Sequence, residues 1–255
     1  MTVELTAAQI RGVLLDIEGT TTPISFVHEV LFPYARAALK DYLTAHWESP
    51  EMVADLARLG EEHEIDIQQR LDPPPLVKGT KADEIGSAMV YLHWLIDRDR
   101  KSTSLKSIQG KIWREGYLDG TLKAELFDDV PTALARWRNA GLSINIFSSG
   151  SKLAQKLLFA HTQAGDFTGF IDNYFDTSIG SKSDVESYRR IAARLRLPAQ
   201  SIVFISDVVL ELEAANKSGM QTLLCVRPGN SPNIGGEQLQ IVHSFEGLQF
   251  ESHEK

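Results

Sequence analysis

Residues 12–22 read Gly-Val-Leu-Leu-Asp-Ile-Glu-Gly-Thr-Thr-Thr. Val13, Leu14, Leu15 and Ile17 make a short apolar run, with Gly12 in front and a Gly-Thr cluster behind. A run this short, and apolar at successive positions, reads as a strand buried on both faces, the kind that builds parallel sheets. Similar runs recur at 142–147 (LSINIF), 201–206 (SIVFIS) and 222–226 (TLLCV). Helical patterns lie between them, over about 131–140, 152–160, 184–195 and 210–217. Pro131 suits a first helical turn, and Gly141 a stop. Strand, helix, strand, helix at this spacing predicts an α/β fold with a parallel sheet.

From Phe26 to Phe127 the period changes. Phe26, Val30, Tyr34 and Ala37 keep steps of three and four, as do Met52, Leu56 and Leu59. Ile85, Met89, Leu92 and Ile96 follow, then Leu105, Ile108 and Ile112. That is the period of amphipathic helices, whose apolar stripes serve core packing. Asp72-Pro73-Pro74-Pro75 and the stretch around Gly79 break the series into loops. A helical block about the size of a small domain thus interrupts the α/β pattern after its first strand, as an inserted cap would. The last dozen residues are expected to form a loosely held tail.

Composition narrows the class. The 255 residues are 43% hydrophobic and 24% charged, which suits a soluble globular protein with a real core. With 26 basic and 34 acidic residues the net charge is -8, which argues against a general nucleic-acid binder. The single cysteine, Cys225, lies in an apolar run and reads as a buried inert thiol in a reducing compartment. No apolar run approaches the ~18 residues of a membrane helix. The opening MTVELTAAQIRG lacks the basic-then-apolar pattern of a signal peptide. A cytoplasmic protein without membrane or nucleic-acid partners is expected. No glycine fingerprint for a dinucleotide occurs, and His63-Glu64 has Ile67 where a zinc helix would carry a second histidine.

Open parallel sheets bind ligands at the carboxyl ends of their strands. The first strand runs into Asp16-Ile17-Glu18, the second into Ser148-Ser149-Gly150-Ser151, and SIVFIS into Asp207, with Glu211 four residues on. Lys182 stands just before a helix. Each alone is ordinary: Asp forms turns, Ser caps helices and Lys solvates a surface. Together they have a chemical logic. Asp16 and Glu18 point the same way along an extended segment. Carboxylates from two strand ends can hold a hard cation such as Mg2+. Hydroxyls and amides at a helix N-terminus bind phosphate, and Lys182 adds positive charge for the same anion. A carboxylate aimed at a phosphorus clamped in this way is a nucleophile for phosphoryl transfer.

This order of residues resembles the four motifs of the haloacid dehalogenase-like hydrolases. The stretches 14–27 (LLDIEGTTTPISFV), 99–113 (DRKSTSLKSIQGKIW), 146–159 (IFSSGSKLAQKLLF) and 175–188 (FDTSIGSKSDVESY) resemble, more narrowly, the enolase-phosphatases of methionine salvage. Glu18, where most of the superfamily carries Asp, marks that narrower group. The resemblance implies a Rossmann-like core over 1–25 and 126–255 and an all-helical cap over 26–125. It implies a monomer, one Mg2+ and a phosphorylated diketone substrate, 2,3-diketo-5-methylthiopentyl-1-phosphate, which is enolised and then dephosphorylated. It makes Asp16 the nucleophile and a metal ligand, and places Glu18 at the metal and in acid/base work. It assigns Ser148, Ser149 and Lys182 to phosphate and substrate, Asp207 to the metal, and Glu211 to its support.

Rival readings are a capped phosphatase for another small phosphate ester, a phospho-signalling module and an inactive binding protein. A signalling module would not carry its Asp on the first strand with a large helical insertion behind it. In the cap segment, Lys106 and Gln109 share one helix face beside apolar Leu105, Ile108 and Ile112. Lys106 is the expected cation for the developing enolate.

Overall fold

The computed structural model describes residues 10–230 and 238–250. The opening run forms β1 (Gly12–Leu15), in which Val13, Leu14 and Leu15 are fully buried. The chain then divides into two compact units, Met1–Glu29 with Lys123–Lys255, and Val30–Leu122.

The second unit is all helical. A wide helical turn over Phe26–Leu31 leads into α1 (Phe32–His46), followed by α2 (Pro50–Gln68), α3 (Lys81–Asp97) and α4 (Thr103–Leu118). Caps set the starts. The Ser49 hydroxyl accepts from Met52 N before α2, and Thr80 with Asp83 forms a reciprocal capping box before α3. Ser102 accepts from Leu105 N before α4. Met52 and Leu59 of α2, Leu92 of α3, and Ile108 and Ile112 of α4 are buried as their stripes predict, but Val30 and Ala37 are exposed, and α1 buries Ala35, Leu39 and Leu43 instead. Charge is buried here too. Asp55 meets Lys111 at 2.6 Å, and Asp66 is held by Arg100 and by the Tyr91 hydroxyl at 2.8 Å.

The first unit is the α/β core. After β1 it continues with α5 (Asp129–Asn139), β2 (Ser143–Phe147), α6 (Lys152–Ala160) and β3 (Asn173–Phe175). Then come α7 (Val185–Leu195), β4 (Ile202–Ser206), α8 (Val209–Lys217), β5 (Gln221–Cys225) and β6 (Ile241–Val242). The strands form one parallel sheet in the order β3-β2-β1-β4-β5-β6. β1 is central, with Leu15 opposite Ile146 on one side and Ile205 on the other. The four apolar runs are thus four of the six strands. β3 and β6, three and two residues long, are too short to leave a hydrophobic pattern.

The expected loose tail is a correction. Phe245, Leu248 and Phe250 are buried, and the Phe245 and Phe250 rings lie 5.3 and 5.7 Å from that of Trp137 on α5. The Trp137 indole donates to Leu248 O at 3.0 Å. Three large apolar side chains in six residues hold this stretch down, and residues 251–255 lie outside the described part. No helix among the described residues is long and apolar enough to cross a membrane. Cys225 is buried, and burial pushes its thiol up to about 12.

Candidate active site

Strand order places the chemistry. β1 lies between β2 and β4, where the direction of the crossovers reverses, and such switch points open a crevice at the strands' carboxyl ends. Asp16 follows β1 directly, and its N–H donates to Ile205 O at 3.0 Å, extending the pairing with β4 by one residue. Asp207 follows β4, and Ser148 follows β2.

Lys182 reaches into this edge from the loop before α7. Its Nζ lies 2.7 Å from Asp16 Oδ1 and 2.6 Å from Glu211 Oε2, and it is 9% exposed. The Tyr188 hydroxyl donates to Lys182 O at 2.6 Å, so α7 fixes the loop that carries the lysine. Burial opposes the ammonium, but Asp16 and Glu211 outweigh it and hold its pKa above the ordinary value. Glu211 is raised by burial and by Asp16, against the pull of Lys182. Asp207 has no ion-pair partner among the described residues. Burial, Asp16 and Glu211 push its carboxyl up to about 7, against the weaker pull of Lys182.

The loop after β1 is tied to itself. The N–H groups of Thr20, Thr21 and Thr22 all donate to Ile17 O, and the Thr21 hydroxyl donates to Asp16 O at 3.2 Å. Gly19 takes φ +68°, a left-handed conformation that suits glycine. A Cβ there would stand 2.8 Å from Asp207 Cγ, so glycine also makes room for that carboxylate. Asn230 Nδ2 donates to Gly19 O at 2.9 Å and braces the same loop.

The expected residues divide. Asp16, Lys182 and Glu211 are in direct contact, with Asp207 near enough to feel Asp16 and Glu211. Glu18 turns to His28, whose Nε2 lies 2.6 Å from Glu18 Oε1, and burial raises the Glu18 carboxyl despite this partner. The side chains of Asp16, Glu18 and Asp207 are therefore not gathered as one metal cluster. Among the described residues no three carboxylate, histidine or cysteine side chains are so gathered. Ser148 Oγ accepts from Gly150 N at 3.1 Å, and Ser149 is exposed. Ser151 is the N-cap of α6, and Gln155 Nε2 pins the turn by donating to Gly150 O and Phe175 O. In the helical unit, Lys106 is half-buried and Gln109 is buried.

Three contributors escaped the sequence reading. Ser206, the last residue of β4, donates to Glu211 Oε2 at 3.0 Å and faces Asp16 Oδ2 at 3.4 Å. A polar residue ending an apolar run was the available signal. His28 sits between the apolar positions of its helix, and Asn230 ends the turn-forming string Arg227-Pro228-Gly229-Asn230. Neither position carries a motif.

Three carboxyl groups around one buried ammonium leave an excess of negative charge. The edge of the sheet can therefore take a divalent cation beside a phosphate, and Asp16 can attack what the cation and lysine hold.

The pattern of haloacid dehalogenase-like hydrolases matches residues 10–219. Enolase-phosphatase E1 of Synechococcus elongatus is 48% identical over 94% of this chain and 98% of its own. Enolase-phosphatase E1 of Danio rerio is 42% identical over 94% of each chain. Among solved structures, the UTR4 protein of Saccharomyces cerevisiae superposes with a TM-score of 0.77 at 31% identity, covering 94% of this chain and 100% of that one. A dehalogenase at 16% identity, TM-score 0.51, covering 93% and 95%, shares the fold.

Proposed function

Because the chain belongs to the haloacid dehalogenase-like hydrolases, and within them to the enolase-phosphatases, we propose that it converts 2,3-diketo-5-methylthiopentyl-1-phosphate into the acireductone 1,2-dihydroxy-3-keto-5-methylthiopentene and phosphate. The observation that carries this reading is Lys182 bridging Asp16 and Glu211 at the switch point, with Asp207 beside them only partly offset by the same lysine.

Enolisation moves a proton from the carbon beside a carbonyl to the carbonyl oxygen. Phosphoryl transfer follows. An Asp16 oxygen forms a bond to phosphorus while the bond from phosphorus to the enol's oxygen breaks. Glu18 gives that oxygen a proton, and its raised pKa suits the task. Water then attacks the aspartyl phosphate, Glu18 takes its proton back, and phosphate leaves with Asp16 restored. Lys182 neutralises the transferring group and holds Asp16 in line, while Ser148, Ser149 and the amides of their turn bind phosphate oxygens. Asp16 and Asp207 would hold the Mg2+, joined by the main-chain oxygen of Glu18, since its carboxylate is engaged by His28. The excess carboxylate charge fits that ion, which when bound would shield the phosphate from the anionic nucleophile.

In this reading Lys106 serves enolisation and not hydrolysis. Lys106→Met should then cut enolisation far more than hydrolysis of an aryl phosphate. The protein would act as a cytoplasmic monomer, which light scattering checks. The deciding experiment follows the enol spectroscopically and phosphate chemically, with the diketone phosphate and an aryl phosphate in parallel. Phosphate from the aryl ester with no enol from the diketone would leave a generic phosphatase.

A further inference from the structure

Asn230 does more than brace the loop. Its Nδ2 faces two main-chain carbonyls, Gly19 O at 2.9 Å and Cys225 O at 3.4 Å. Carbonyls only accept, so the amide nitrogen must be on that side and the other atom is the oxygen. That oxygen, Oδ1, is buried and has no hydrogen-bond partner among the described residues. A buried amide oxygen without a donor forfeits the hydrogen bonds that water would give it. The described residues around it offer none. A Cβ on Gly19 would stand 3.1 Å from Asn230 Oδ1 and 2.8 Å from Asp207 Cγ, so the amide oxygen and the carboxylate converge on the same face of Gly19. Two acceptors meeting in a buried place call for a positive group or a donor between them.

We propose that Asn230 belongs to the cation site, its Oδ1 accepting a hydrogen bond from a water carried by the Mg2+ at Asp16 and Asp207. The inference rests on the metal reading above and extends it to a residue outside its motifs. Mg2+ keeps several of its waters when protein carboxylates bind it, and those waters present O–H donors outward. A carbonyl-type oxygen fixed beside Asp207 orients one of them. The bond from Nδ2 to Gly19 O is then the means of fixing it. One amide thus ties the loop that follows the nucleophile to the hydration shell of the ion.

The test is calorimetric titration of the full chain with Mg2+ alone, with the melting temperature of each variant measured free of metal. Asn230→Leu removes both functions of the amide, and Asn230→Asp removes the donor but keeps an oxygen. Loss of the brace lowers the metal-free melting temperature of both. Partners of this kind are worth about 10–100-fold in metal affinity. Asn230→Leu should therefore bind Mg2+ at least about 10-fold more weakly, while Asn230→Asp binds it at least as tightly as the unaltered chain. Asn230→Ser, which also withdraws the oxygen, replaces the leucine variant if that one does not fold. Unchanged affinity in the leucine or serine variant overturns the role of Asn230 alone, and so does equal weakening in the aspartate variant. No Mg2+ binding by the unaltered chain overturns the metal reading, and this inference with it.

Discussion

Both units bury charge, but they balance it differently. In the helical unit each buried carboxylate has its own cation. Asp55 has Lys111 at 2.6 Å and Arg58 at 3.6 Å, with the Ser107 hydroxyl at 3.0 Å. Asp66 has Arg100 and the Tyr91 hydroxyl. At the edge of the sheet one lysine serves Asp16 and Glu211, and Asp207 is left over, pushed up to about 7. A balanced cluster is complete and holds helices in register. An unbalanced one stores repulsion that a ligand relieves, and such strain gathers where chemistry is done.

The sharpest way to break this contrast is Asp16→Asn. The amide is a poor nucleophile, so phosphate release should fall at least about 10³-fold. The metal-free melting temperature should hold, because the substitution also removes a repelling charge. Substantial phosphate release by the folded variant would remove Asp16 from the chemistry.

Metal removal comes next. Exhaustive chelation should lower turnover at least about 100-fold, and added Mg2+ should restore it. Mg2+ at about 100 times its dissociation constant should also stabilise the protein by about 2.7 kcal/mol, read from chemical denaturation. Full turnover after chelation would mean that the excess charge serves no cation.

The balanced cluster should fail in the opposite sense. Lys111→Met strands Asp55 with the more distant Arg58, and should cost about 3 kcal/mol of stability. Denaturant unfolding reads this directly. A loss under about 0.5 kcal/mol would show that the pair is no more than a surface contact.

A third cluster is balanced although it lies in the core unit. There Arg227 Nη1 meets Asp129 Oδ2 at 2.9 Å and its Nε donates to Thr20 O at 3.3 Å, with the rings of Phe127 and Phe245 at 4.5 and 4.6 Å from the guanidinium. Burial pushes the Asp129 carboxyl up, but Arg227, Phe245 N–H and Ser244 outweigh it and hold it below its usual value. A depressed carboxyl stabilises in full above the unfolded value near about 3.9, and loses that contribution as pH falls through the lower folded value. Asp129→Asn should therefore cost about 2 kcal/mol at pH 7 and progressively less below about pH 4. A pH-independent difference would contradict the assignment.

Much of this was legible in the chain. Val13–Leu15, LSINIF, SIVFIS and TLLCV each announced a buried strand, because a strand covered on both faces needs no polar positions. The steps of three and four from Phe26 onward announced helices, because a helix with one buried face must repeat that way. Asp16 stands out because it follows a strand and Lys182 because it precedes a helix, at the edge where parallel sheets bind ligands, and Glu211 because it comes four residues after the strand-end Asp207. β3 and β6 left no signal because two or three residues show no period. The stretch at 245–250 packs on Trp137, a surface that position near a chain end does not announce.

Local periodicity and chain order fix the class of each segment and the residue types at the strand ends. Which charges meet is a matter of the folded chain. Asp16 and Lys182 are 166 positions apart, and their 2.7 Å contact exists because β1 lies between β2 and β4. The same holds for Glu18 turning to His28, for Ser206 bonding Glu211, and for Asn230 facing Gly19. Electrostatic interaction depends on distance in space and on burial, and neither is written in the spacing of residues along the chain.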